Sequence, residues 1–121
     1  MFIFIVKHFI VDFLLQTKYQ YSNKGKWLHP GGLLHSFLHL LFTYVLLKTI
    51  SLYVGIDYNL PILILSLIDG ISHYHIDYLK VKICNKYNLK PDNSESYWHL
   101  LGLDQMLHML IYCYIVYLCI V

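Results

Sequence analysis

The residues able to do chemistry in this chain come as four pairs, each spaced i, i+4: His8/Asp12, His35/His39, His73/Asp77 and Asp104/His108. On a helix that spacing puts both side chains of a pair on one face, a turn apart. Imidazole nitrogens and carboxylate oxygens, with no thiolate among them, suit Zn, Mn, Fe or Ni and not Cu(I). Five imidazoles and three carboxylates exceed the roughly four to six ligands of one transition metal but are enough for two ions. Two divalent ions about 3.5–4 Å apart can activate a water and hold a phosphoryl or acyl oxygen. All eight residues are therefore candidate metal ligands, with Asp12, His73, Asp77 and Asp104 as candidate catalytic groups.

Other polar residues share the same faces. Ser66, Asp69, His73, Asp77 and Lys80 follow one another at steps of three and four along a single helical stripe. Lys80 is a candidate substrate contact, its ammonium able to hold a phosphate as a point charge. Gln16, Thr43, Asp69 and Gln105 are candidate outer partners that orient the ligands by hydrogen bonds. His29, His75 and His99 stand off the shared faces and read as ordinary. Lys7 reads as a side chain snorkelling out of an apolar span. Cys84, Cys113 and Cys119 form no Cys-x-x-Cys pattern and receive no chemistry.

The elements that must position these groups are apolar. Hydrophobic residues make up 58% of the 121-residue chain and charged residues only 13%, against roughly a quarter charged in an ordinary soluble domain. Apolar segments long enough to cross a ~30 Å hydrocarbon core fill most of the sequence. Stretches such as Phe9-Ile10-Val11 and Leu40-Leu41-Phe42 leave no polar outer face for a soluble bundle. The expectation is all-α: one integral membrane domain over 1–121, a four-helix up-and-down bundle with helices at about 1–21, 30–54, 60–86 and 97–121. Pro30 suits a first helical turn, Asn59 with Pro61 reads as a cap followed by proline, and Lys90-Pro91-Asp92-Asn93-Ser94 is a break. The third helix is expected to end near Lys86, and the fourth to start near Tyr97-Trp98.

The formal net charge of +2 comes from nine lysines with no arginine. Most of them flank the first and third loops, which argues for membrane orientation and against nucleic acid. The positive-inside rule then makes those two loops cytoplasmic and both termini external, in a multi-pass protein of the inner (cytoplasmic) membrane. The N-terminal segment lacks a basic lead and a small-residue cleavage site, and reads as a retained first span. With the helices so arranged, the four pairs fall at one depth, about 8–15 Å below the cytoplasmic face at ~1.5 Å per residue. Antiparallel helices have no reason to agree on that depth unless the pairs meet. The bland alternative is polar glue between membrane helices, at ~1–2 kcal/mol or less per hydrogen bond.

The ordered set His8-x-x-x-Asp12-Phe13-x-x-Gln16, Lys24, His35-x-x-x-His39, Ser72-His73-x-x-x-Asp77-x-x-Lys80 and Asp104-Gln105-x-x-His108 resembles the bacterial and phage membrane family called domain of unknown function 3307. The resemblance covers nearly the whole chain. It implies a small integral membrane protein with polar residues at these positions, and no established activity. Asp69 has no place in that pattern.

The functional expectation is a metalloprotein of the bilayer, probing the cytoplasmic leaflet for a lipid-like or phosphorylated substrate that it hydrolyses. The alternatives are a divalent-cation or proton transporter, which would need a homo-oligomer to provide a path, an oxygen-activating di-iron enzyme, or a structural protein without catalysis. A transporter should carry polar residues through both leaflets. Here the outer halves, such as Ile62 to Leu65 and Ile115 to Val121, are almost wholly apolar.

Overall fold

Helices begin and end in this chain where backbone groups find a local partner or need none. The computed structural model describes residues 1–58 and 60–121, and among them the chain is helical with no strand. Helix α1 (Phe2–Phe9) runs without a break into a π-helical turn at Ile10–Leu14, and a short α2 follows at Lys18–Tyr21. Three long helices complete the fold: α3 (Pro30–Val54), α4 (Ile62–Tyr87) and α5 (Glu95–Ile120). Pro30 has no N–H to leave unsatisfied, and the His29 ring accepts a hydrogen bond from the Gly31 N–H at 3.1 Å, so α3 starts there. Gly55, at φ 73°, ends it in the left-handed conformation that costs glycine nothing. Asn88, at φ 50°, ends α4, and the Leu89 N–H folds back to the Cys84 carbonyl at 2.9 Å.

The first helix is not the continuous span of about 1–21 that periodicity predicts. The π turn widens it at Asp12, and the Gln16 side chain donates to the Asp12 carbonyl at 2.8 Å. The Gln20 side chain then accepts from the Thr17 N–H at 3.1 Å, half of a capping box that starts a new helix at Lys18. Apolar periodicity runs through this junction and hides it. Further on, α4 opens at Ile62 behind Pro61, while the cap expected at Asn59 lies outside the described residues. Helix α4 closes at Tyr87, one residue past Lys86. Helix α5 begins at Glu95 behind Ser94, before Tyr97-Trp98.

The long helices pack in chain order, α3 on α4 and α4 on α5, with α1 and α2 against α3. Gly70 sets the α3–α4 distance, since a Cβ there would lie 2.9 Å from the Leu40 Cβ and 3.2 Å from the Ser36 carbonyl. At one end the interior is apolar: Phe4, Leu47, Leu65, Tyr112 and Ile115 form a cluster. The rest of the interior is polar. Among the described residues fourteen polar or charged side chains are buried against seven apolar ones, while Phe2, Leu52, Tyr53 and Ile120 stand outside. That is the reverse of a water-soluble interior. Two helices, α3 and α5, are long and apolar enough to cross a membrane. The segment from Phe2 to Leu14 reaches on the order of 20 Å, short of a full crossing, and α4 carries Asp69, His73 and Asp77 inward while Lys82 and Lys86 stay exposed.

Candidate metal centre

Each helix delivers its pair inward. His8 comes from α1, Asp12 from the π turn, His35 and His39 from α3, His73 and Asp77 from α4, and Asp104 and His108 from α5. The close approach at Gly70 lets the α3 and α4 imidazoles touch, with the His39 and His73 rings stacked 3.4 Å apart between centroids. Asp12 is the hub. Its Oδ1 lies 2.8 Å from His35 Nε2, 3.1 Å from His39 Nε2 and 3.5 Å from His73 Nε2, and its Oδ2 lies 2.9 Å from His8 Nε2. His35 and His73 face each other through Nε2 atoms 3.1 Å apart.

Four ligands tetrahedrally arranged about 2.05 Å from an ion have their donor atoms roughly 3.3 Å from one another. The contacts of Asp12, His35, His39 and His73 bracket that edge, and these four could hold one ion. His73, Asp77 and His108 form a second such group, sharing His73 with the first. His73 and His108 rings lie 4.2 Å apart, and Asp77 Oδ2 is 3.3 Å from His73 Nε2. Asp104 adjoins this group: its Oδ1 and His108 Nε2 are both buried and have no hydrogen-bond partner among the described residues. Buried polar atoms rarely stay unpaired, and a bound cation would satisfy an atom such as His108 Nε2.

The lysines hold positions that the sequence reading does not give them. Lys7 does not snorkel. It is 5% exposed, and its Nζ donates to Asp69 Oδ2 at 2.6 Å, to Thr43 Oγ1 at 3.2 Å and to His39 Nδ1 at 3.1 Å. Thr43 in turn donates to the same Asp69 oxygen. Thr43 and Asp69 thus reach the imidazoles through Lys7 and touch none directly. The missed signal was an unmatched Lys7 in one apolar helix and an unmatched Asp69 in another, opposite charges that a low-dielectric interior must pair. Lys24, from the loop before α3, reaches Asp77 Oδ2 at 2.7 Å and is buried with it.

Gln105 bridges the pairs. Its Nε2 donates to Asp104 Oδ2 at 3.0 Å, and its Oε1 lies 3.2 Å from His8 Nε2. Gln16 donates to the Asp12 backbone carbonyl and makes no other side-chain hydrogen bond among the described residues. Lys80 is less buried and sits 3.7 Å from Asp104 Oδ2. Both line a groove of about 220 Å³ between α4 and α5, walled by Ile76, Leu79, Leu103 and Leu107. His29 caps α3, and the exposed His75 bonds the Ile71 carbonyl at 2.7 Å, so neither joins the cluster. The three cysteines are free.

No curated protein and no solved structure matches the chain. A family described as "Protein of unknown function (DUF3307)" matches it over residues 1–121. The chain belongs to that family.

Proposed function

We propose that this protein lies in the membrane as a multi-pass metalloprotein and hydrolyses a lipid-like or phosphorylated substrate from the cytoplasmic leaflet. The observation that carries the reading is the meeting of four imidazoles and two carboxylates in two donor groups that share His73, with His8 against Asp12 and Asp104 beside His108. A soluble protein has little use for a polar interior inside an apolar exterior, whereas a bilayer favours that distribution. The lysines around the first and third loops orient those loops to the cytoplasm and both termini outward.

The two groups give room for two divalent ions of the Zn, Mn, Fe or Ni class, which supply Lewis-acid polarisation of a phosphoryl or acyl oxygen. The chain's own residues do the rest. Asp12, with imidazoles against both oxygens, would hold the first donor group together. Lys80 in the α4–α5 groove draws an anionic headgroup towards Asp104, while the leucine and isoleucine walls receive an acyl chain. A transporter would need the polar path to continue through the opposite leaflet. The Phe4, Leu47, Leu65, Tyr112 and Ile115 cluster closes that side.

Elemental analysis of the full chain purified in nanodiscs tests the reading. Fully loaded protein should hold close to two ions. Asp12→Asn, His73→Ala and Asp104→Asn should each lower metal content or abolish hydrolysis of phospho- or acyl esters. Lys80→Ala should raise KM and leave the metal in place, since an ammonium cannot ligate. A folded preparation that takes up no metal refutes the proposal. So does a metal-loaded one that moves ions into proteoliposomes and cleaves no ester.

A further inference from the structure

Lys24 reaches the cluster from outside the long helices. It lies between α2 and α3, is buried, and sets its Nζ 2.7 Å from Asp77 Oδ2. That oxygen is the one turned to the imidazoles, 3.3 Å from His73 Nε2 and 3.5 Å from His35 Nε2. The ammonium approaches off the angle of a hydrogen bond, and Asp77 Oδ2 has no hydrogen-bond partner among the described residues. The pair is held by charge and not by a directed bond.

The root of this side chain is fixed. Gly25 lies so close to α4 that a Cβ there would stand 2.6 Å from Val81 Cγ1, and a Cβ at Gly32 of α3 would stand 3.6 Å from Lys24 Cα. Leu28 takes a left-handed backbone at φ 52°, uncommon for a residue with a side chain, and its N–H donates to the Tyr74 hydroxyl at 2.7 Å. The Trp27 ring meets Tyr74 and Tyr78 edge-on, with centroids 5.6 and 5.1 Å away. These contacts hold the loop without using the Lys24 ammonium. Its four-carbon stem can therefore turn while the loop stays in place, towards the side where Lys26 stands exposed and where water hydrates an ammonium strongly.

Resting on the metal-centre reading above, we infer that Lys24 is an internal counter-cation that a divalent ion displaces from Asp77. In the free protein the ammonium keeps a buried carboxylate from being stranded. His73, Asp77 and His108 offer donor atoms within 4.8 Å of one another. An ion among them would sit about 2.0–2.2 Å from a carboxylate oxygen. On Oδ2 it would face the ammonium at roughly 3.5–4 Å, two like charges with little water between them. The lysine leaves because its stem can carry it to water. Lys24 thus keeps the empty site neutral and sets a threshold for the ion: the affinity falls short of what the same three ligands would give without the ammonium.

The experiment follows Lys24 in the wild-type full chain, metal-free, in nanodiscs of phosphatidylcholine and phosphatidylglycerol, lipids without a primary amine. A water-soluble acetylating reagent is added before and after Zn²⁺, and each lysine is read by mass spectrometry. Before Zn²⁺, Lys24 should react about tenfold or more slower than Lys26. With Zn²⁺ bound it should approach the Lys26 rate, Lys26 should not change, and EDTA should restore the protection. Lys24→Met should bind Zn²⁺ about tenfold or more tighter than the wild type, and Lys26→Met should bind it equally. Lys24 that stays protected with Zn²⁺ bound, or a Lys24→Met chain that binds no tighter, would overturn the displacement while leaving a metal centre intact. Lys24 as reactive as Lys26 before metal is added would overturn the buried pair itself. Uptake of no Zn²⁺ at all would sink the metal reading and this inference with it. The modification rates are read on wild-type protein, so a Lys24→Met chain that fails to fold does not protect the inference.

Discussion

Lys7→Met should be among the most damaging single substitutions in the chain. The Lys7 Nζ and Asp69 Oδ2 atoms are 2.6 Å apart, with side chains 4% and 1% exposed. Removing the ammonium strands the carboxylate in a dry interior with Thr43 as its remaining side-chain donor among the described residues. Breaking a buried ion pair from one side costs about 3–5 kcal/mol. An ordinary interhelical hydrogen bond in a membrane is worth ~0.6 kcal/mol on average and ~2 at most. The two accounts of this contact therefore differ severalfold, which a stability assay can resolve. Asp69→Asn should be comparably harmful, because it leaves the ammonium facing neutral groups and the more distant Asp12. The double variant should recover most of the loss, since replacing both charges by neutral groups of similar size is often close to neutral. Reversible unfolding in mixed detergent micelles, run as a double-mutant cycle, should give a coupling of at least about 2–3 kcal/mol. A Lys7→Met cost below about 1 kcal/mol, or single effects that simply add in the double variant, would refute the claim that this pair is a buried charge pair.

Two further predictions concern geometry and orientation. Gly70→Ala should force α3 and α4 apart, because the new Cβ would stand 2.9 Å from Leu40 Cβ. Overpacking of this kind costs about 1–3 kcal/mol, and metal affinity should fall with stability. Gly102→Ala meets nothing within 4 Å and should gain up to ~1 kcal/mol of helix propensity with no change in metal binding. Equal metal affinity in the two variants would mean that the Gly70 contact does not set the site. With the three native cysteines replaced, single cysteines at Ser22 and Asn93 should label from the cytoplasm and one at Asp57 from outside. The reverse pattern would invert the topology.

The all-helical class was legible because every polar group able to do chemistry recurs at four-residue spacing within apolar segments. Depth added the suggestion that antiparallel helices present those groups at one level, which is an inference from counting and not from contact. Three things escaped. The break between Leu14 and Lys18 is made by two side-chain hydrogen bonds, from Gln16 and to Gln20, that leave no mark on the hydrophobic period. The inward turn of Lys7 depends on Asp69 and Thr43, sixty-two and thirty-six positions away, and no local pattern reports that. The unequal surroundings of His39 and His108, an ammonium behind one ring and a backbone carbonyl behind the other, leave no mark on the residue type.

The charges in the cluster bear on what it can hold. Four carboxylates, Asp12, Asp69, Asp77 and Asp104, face three ammonium groups, Lys7, Lys24 and Lys80. With the imidazoles neutral, the interior carries one negative charge too many, and in a low dielectric that is costly. A single divalent ion beside Asp77 that turns Lys24 out to solvent brings the interior to neutrality. A second divalent ion at Asp12 then makes it doubly positive. That state is unfavourable alone and favourable beside a dianionic phosphoryl group. The excess positive charge that opposes a second ion in the free protein would be offset with a dianionic substrate present. Metal affinity at the Asp12 group should therefore rise when a non-hydrolysable phosphorylated lipid is added and should not rise with its neutral diacylglycerol counterpart. Equal affinity with both would remove the electrostatic link between the second ion and an anionic substrate.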